Sequence, residues 1–411
     1  MIDLIKKYGD EFLIVLAVMV LAAGVIRWLV SSERNSALTE NETPIVLVFG
    51  HWWAEQLGEE TLAELKNEFE NLHEGITINF DNTSYEESRR KLYFLKEENF
   101  DEENNETAWD IFALDTLWVP ELIQRGVLEP RLSMPDAPLV SFINLLYYNI
   151  ELLLEAGFSA PPRNRTEFMA QARAVTNAGG NRRGLVMDLR GSRSLYDEVF
   201  PWIWASGAVL FPSPATAVNT RQITDSLAFL LSLQEEGLIS FTEDGSVRRK
   251  LDDFISGNTA FMIASDGDIA YVRGMMGNDA FSVTAVPVPD NYSGRTFYST
   301  RNWSLAVNPV SPNIEAALLF IDFLNEKSGF LSERGNAYFG SLLPRPGNDP
   351  HFSRVWDIAI GAVPASEFSQ LPWTPLEEIF REELFNLFDG EASPASMAAA
   401  LQAGLLAALE Q

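Results

Sequence analysis

The stretch Leu145–Ala174, LLYYNIELLLEAGFSAPPRNRTEFMAQARA, decides how the rest of the chain is read. Leu145–Ile150 has the apolar character of a strand. Glu151–Ala156 continues it as a short amphipathic helix, and Gly157 stops that helix with a left-handed cap. Pro161 and Pro162 forbid helix, so the chain must turn there. A second helix starts near Thr166, with asparagine and threonine available as caps ahead of Phe168, Met169, Ala172 and Val175.

Upstream, strand and helix patterns alternate. Pro44–Phe49, PIVLVF, is a continuous apolar run, as expected of a strand covered on both faces. Gly50 opens a loop, His51-Trp52-Trp53, and the next helix aligns Leu62, Leu65, Phe69 and Leu72. Ile76, Ile78 and Phe80 alternate as a strand, and a charged helix follows from Tyr85. The acidic run 97–106 reads as a solvated loop. Trp109–Asp115 is a third strand, and Leu117–Gln124 a helix ended by Gly126. Such alternation implies a parallel sheet with right-handed crossovers. Ligands bind such sheets at the carboxyl ends of the strands, where Gly50–Trp53 and Asp115–Trp118 sit.

Downstream, Gly184–Leu189 is a strand candidate and Val199–Gly207 carries Trp202 and Trp204. Thr220–Glu236 is a long helix with Ile223, Leu227, Leu230 and Leu231 inside, ended by Gly237. Gly257–Ile263 reads as a strand, and Asp266 starts the helix after it. Phe281–Pro289 and Trp303–Pro309 are further strands, Ser311–Leu324 is a helix, and the remainder is helical.

The order tyrosine–tyrosine–asparagine, short helix, Gly157, Pro161-Pro162 and capped helix resembles the extracellular solute-binding proteins of ABC sugar importers, the maltose-binding-protein-like group. Three further segments are similar to that group: Asp110–Pro130 (DIFALDTLWVPELIQRGVLEP), Gly257–Ile263 as a return strand into the first lobe, and Ser341–Arg345 (SLLPR). The resemblance spans residues 44 to 411. It implies an α/β fold of two lobes joined by a hinge, the periplasmic-binding-protein architecture. Lobe one would be 44–142 plus 259–310, and lobe two 143–258 plus 311–411. It also implies an extracytoplasmic monomer that captures a sugar or oligosaccharide and docks on the two permease subunits of an ABC importer.

Composition narrows the alternatives. With 411 residues, 46% hydrophobic and 21% charged, the chain is a globular protein with room for two domains. A net charge of −28 argues against nucleic acid as partner, because binding there rests on releasing phosphate counterions. The absence of cysteine removes disulfides, thiol nucleophiles and thiolate metal sites. Near the start, Phe12–Val30 is nineteen residues with one charge, Arg27. At helical rise it covers most of a hydrocarbon core of roughly 30 Å. We read 1–31 as one N-terminal transmembrane helix acting as anchor, with a cleaved signal peptide as the alternative, and 32–43 as a polar tether. The length of the apolar run and the interfacial Arg27-Trp28 favour the anchor. The basic residues flanking the span nearly balance, so the external orientation of the body comes from the resemblance.

No catalytic or metal constellation emerges, and no cofactor is expected. The three histidines, His51, His73 and His351, do not form a helical metal pair, and neither a nucleophile elbow nor a phosphate loop occurs. Asp266-Gly267-Asp268 lacks the other ligands of a calcium loop. A glycosidase needs only two carboxylates and stays as a remote alternative. What the chain does offer is indoles beside polar groups, suited to the apolar faces and hydroxyl rims of sugars. The candidate contacts are Trp52, Trp53 and Glu55; Asp115 and Trp118; Trp202 and Trp204; Asp266; and Arg301 with Trp303. Trp373 is a weaker addition. Tryptophan is more often core than platform. Trp52, Trp53 and Trp303 lie beside strand ends and are assigned to the cleft; Trp118, Trp204 and Trp373 suit core and contact equally. The segment Asp268-Ile269 departs from the family, which often carries an aromatic there. Polyamine binding on the same fold and a tethered sensor without transport are the other readings.

Overall fold

The computed structural model describes residues 44–95, 108–133, 139–191, 193, 195–208, 221–242, 247–294, 297–298, 300–327, 338–339, 349–361, 363–364 and 373–409. The anchor and tether, the acidic run 97–106 and the segment 341–345 lie outside the described residues. Among the described residues no helix is long and apolar enough to cross a membrane.

The strands are β1 (Ile45–His51), β2 (Ile76–Asn82), β3 (Ile111–Asp115), β4 (Val140–Asn149), β5 (Arg183–Met187), β6 (Ile239–Phe241), β7 (Thr259–Ser265), β8 (Phe281–Thr284), β9 (Phe297–Tyr298), β10 (Thr300–Val307), β11 (Tyr338–Phe339) and β12 (Val363–Pro364). One sheet runs in the order β2-β1-β3-β10-β4-β7-β5-β6, with β8 and β11 also paired to β4. β1, β2 and β3 are parallel, as the alternating pattern requires, but β10 enters antiparallel between β3 and β4.

β4 is shared by the two halves of the sheet. Its first residues pair with β10, from Val140↔Trp303 to Ile143↔Thr300. Its later residues pair with β7, from Asn144↔Ser265 to Tyr148↔Phe261. A single strand of ten residues thus belongs to both halves of the sheet. The helix Ile150–Glu155 leaves β4 capped by Asn149, whose side chain accepts from Leu152 N–H. Gly157 then takes a φ of +88°, which an L side chain would resist. The next helix, Arg165–Asn177, is capped by Asn164, which accepts from Glu167 N–H. Asparagine rather than threonine therefore takes the cap.

Two pairings bear on the expected boundaries. β7, expected in lobe one, pairs with β4 and β5, in the half of the sheet that also holds β6. The chain rejoins the first half only at β10, which pairs with β3. The helix Ile314–Glu326, expected in lobe two, packs against β1 and the helix Glu59–Leu72: its Phe320 ring lies 5.8 Å from Phe49 and 5.0 Å from Phe69. The reason is physical. β7 is buried at every position, and a strand buried on both faces carries no pattern that assigns it to one lobe.

Gly50 is fixed by packing. A Cβ there would lie 2.1 Å from the Trp109 ring, whose indole N–H donates to Asp81 Oδ2 at 2.6 Å. This lets β1 continue through His51, where a loop was expected, and places Trp52 and Trp53 at its carboxyl end.

Candidate ligand cleft

The ends of β1 and β3 and the start of β10 meet at one edge, because Trp303 is the register partner of Asp115. Four tryptophans predicted from distant parts of the sequence gather there. The Trp52 ring lies 5.3 Å from both Trp118 and Trp303, and Trp53 stacks on Trp303 at 6.2 Å and 8°. Tyr85 closes the group, 5.2 Å from Trp52 and 4.8 Å from Trp118. All four indoles are buried, at most 7% exposed, and none of their N–H groups has an acceptor among the described residues. Leaving such a donor unpaired costs about 1–3 kcal/mol, so the cluster is a wall of hydrogen-bond donors set in apolar rings.

Asp115, the register partner of Trp303, is fully buried. Its Oδ1 accepts from Leu117 N–H at 3.0 Å, and its Oδ2 accepts from the Tyr85 hydroxyl at 2.9 Å. Arg193, from the loop after β5 in lobe two, also donates to Oδ2. The same guanidinium reaches Asp197 Oδ2 at 3.3 Å and lies 4.9 Å from the Tyr196 ring. Asp197 Oδ1 in turn accepts from Asn144 Nδ2 on β4 at 2.8 Å. A polar chain Tyr85–Asp115–Arg193–Asp197–Asn144 therefore joins lobe one, lobe two and the strand between them. Burial works against the Arg193 charge, but Asp115 and Asp197 outweigh it and hold the group protonated. Burial and the Asp115 charge push the Tyr85 hydroxyl well above its ordinary range, so it stays a donor.

Tyr196, Asp197 and Glu198 lie on one π-helical turn, Leu195–Val199. Such turns recur at functional sites because they re-aim successive side chains. Glu198 is paired with the buried Lys250, which also donates to Ile263 O at 2.6 Å. Burial raises the Glu198 carboxyl to about 7, against the pull of Lys250.

The other predicted residues fall elsewhere. Trp202 is in the lobe-two core, 5.0 Å from Phe168 and 5.4 Å from Phe229, and its carbonyl accepts from Arg165. Trp204 packs on Tyr196 at 5.1 Å, and Trp373 lies 5.9 Å from the same ring. Both therefore support the Arg193 side of the cleft. Glu55 lies in the short helix Ala54–Leu57, and Arg301 in β10 opposite Phe142. Asp266 does not cap the following helix. Ser265 and Asp268 form that capping box. Asp266 instead accepts from Ile143 N–H at 2.7 Å, where β4 passes from β10 to β7. Burial raises its carboxyl from 3.8 to about 8.

Sequence reasoning missed Tyr85, Arg193, Asp197 and Asn144. The one available signal was the Arg193–Asp197 spacing of four residues just past a strand end. A separate cavity of about 340 Å³ lies on lobe two, lined by Tyr148, Val283, Thr284, Arg354 and Asp357. None of the candidate residues lines it.

Comparison with known proteins agrees with this architecture. A family model described as bacterial extracellular solute-binding protein matches residues 54–329. A Deinococcus radiodurans protein named "Probable ABC transporter-binding protein" is 21% identical over 331 residues, covering 69% of this chain and 76% of its own. The GacH receptor of Streptomyces glaucescens, solved unliganded and with acarbose, superposes with a TM-score of 0.69 at 19% identity, over 90% of this chain and 100% of that one. A chitin oligosaccharide binding protein superposes with a TM-score of 0.71 at 15% identity, again over 90% and 100%. At these identities the superpositions speak for the two-lobe fold. The chain belongs to the family of bacterial extracellular solute-binding proteins.

Proposed function

We propose that this protein captures a neutral sugar or oligosaccharide between its lobes and delivers it to the permease of an ABC importer. The observation that carries the reading is the wall of Trp52, Trp53, Trp118 and Trp303, with four unpaired indole donors around Asp115 at the carboxyl ends of β1 and β3. Sugar rings stack on such faces, and ring and hydroxyl oxygens accept from such donors. The neighbours solved with acarbose and named for chitin oligosaccharide support the ligand class. The relative named for an ABC transporter supports delivery.

The ligand sites are Trp52, Trp53, Trp118, Trp303 and Asp115 on lobe one, with Glu55, Trp204, Asp266 and Arg301 as outer candidates. Trp202 serves the fold. Closure follows population shift: a ligand touching both walls favours the closed state by its differential affinity. Lobe one is then 44–142 with β10 and the helix Ile314–Glu326, and lobe two holds β5 to β8 with the C-terminal helices. The protein acts as a monomer, binds without turnover, and sits on the extracytoplasmic face, held by Phe12–Val30 as an uncleaved anchor. Asp115 and Asp197 are both engaged by Arg193, which leaves neither as the free acid or base that a glycosidase needs.

A thermal-shift screen of oligosaccharides against polyamines tests the ligand class, since only a bound solute raises the transition. Stabilisation by polyamines alone would overturn it. N-terminal sequencing that began at Glu33 would overturn the anchor.

A further inference from the structure

We propose that Arg193 is a resident cation that sets the charge selectivity of the cleft, keeping amines out of a site otherwise built to hold them. The inference rests on the reading of this cleft as the solute site, and concerns which solutes it refuses. Trp52, Trp118 and Tyr85 place their rings 4.8–5.3 Å apart beside the fully buried Asp115. Aromatic faces around a carboxylate form a receptor for a cation. A buried carboxylate without a counter-charge is strongly disfavoured, so that receptor must be filled.

Arg193 supplies the counter-charge to that carboxylate from within the chain. Its guanidinium meets Asp115 and Asp197 and lies over Tyr196. Its Nη2 is buried without a partner among the described residues. Among the described residues, the part-buried Arg89 is committed to Glu377 and the buried Lys250 to Glu198. Removing the Arg193 charge would leave two buried carboxylates among aromatic rings with nothing to balance them. In a protein of net charge −28, the general field would favour any small cation that could enter. Selectivity against cations thus depends on one side chain, delivered by lobe two onto the aromatic wall of lobe one.

The test uses putrescine as probe on the whole protein at fixed ionic strength, by calorimetric titration and thermal shift. Arg193→Gln should bind putrescine at least about tenfold more tightly than wild type, with a raised melting temperature. Arg193→Lys keeps the charge and should behave as wild type. Arg193→Gln with Asp115→Asn should lose the gain, which separates this site from general surface attraction. If Arg193→Gln alone fails to fold, putrescine should restore its folding transition. Wild type binding putrescine as tightly as Arg193→Gln would overturn the proposal, as would a variant neither binding nor rescued. Gain of putrescine binding in Arg193→Gln beside a wild type that binds no saccharide would remove the sugar reading and leave this one standing.

Discussion

The two walls of the cleft are built from opposite materials. Lobe one presents rings: four indoles and Tyr85, locked to each other and to the core through Phe49 and Phe142. Lobe two presents charges: Arg193 and Asp197, backed in the interior by the pair Glu198 and Lys250, each engaged by a neighbour of opposite sign. An aromatic wall is rigid and tolerant, because stacking asks only for a flat apolar face. An ionic wall is exacting, because each buried charge fails if its partner moves. On the proposed reading, lobe one supplies affinity, and lobe two supplies closure and discrimination.

The largest expected effect lies on the ionic wall. Lys250→Ala strands Glu198 in the interior and should lower unfolding stability by about 3–5 kcal/mol in denaturant melts. A loss below about 1 kcal/mol would show that Glu198 simply takes up a proton, and that the wall is less exacting than argued.

Next comes the joint between the walls. Asp266 holds the N–H of Ile143 where β4 changes partners, with its carboxyl raised from 3.8 to about 8 by burial. The folded chain therefore binds this proton more tightly than the unfolded chain. Its contribution is fully present below about pH 4 and is lost as pH rises through about 8, by an amount on the order of a few kcal/mol. Asp266→Asn keeps an acceptor for Ile143 and should flatten that decline. An unchanged pH slope in the variant would place the dependence elsewhere.

On the aromatic wall, Trp303→Ala should weaken saccharide binding by about 1–3 kcal/mol, read by titration. It removes a stacked partner of Trp53 and an edge contact of Trp52 together. The smallest effect serves as reference. Arg182 and Glu155 form an ion pair on the surface, and Arg182→Ala should change stability by about 0.2–1 kcal/mol at most. A larger change would mean that exposed pairs matter in this fold as buried ones do.

How much of this was legible in the sequence follows the same division. The strand ends that carry Trp52, Trp53 and Asp115 could be read from apolar runs, since those runs are local. Trp303 could be set at a strand, and its register with Asp115 completes the wall. The assignment of β7 to a lobe was not legible, because a wholly buried strand looks alike in either setting. Arg193 was not legible either. Its meaning comes from Asp115, a residue seventy-eight positions away that only the tertiary fold brings into contact. Trp202 and Trp303 read alike as letters and are both buried. Their neighbours differ, Phe168 and Phe229 for Trp202 against Trp53 and Phe142 for Trp303, and the proposed reading takes the first as core and the second as cleft.

That separation gives the most direct test of the account. A panel of neutral oligosaccharides would be titrated calorimetrically into wild type, Trp53→Ala and Trp202→Ala, with the melting temperature of each ligand-free protein measured alongside. The account predicts that Trp53→Ala loses about tenfold or more in affinity for a saccharide that wild type binds. Trp202→Ala should lose about 3–5 kcal/mol of stability while its folded fraction binds nearly as wild type does. Saccharide binding that survives Trp53→Ala unchanged, or that fails in Trp202→Ala while the fold stays stable, would contradict it.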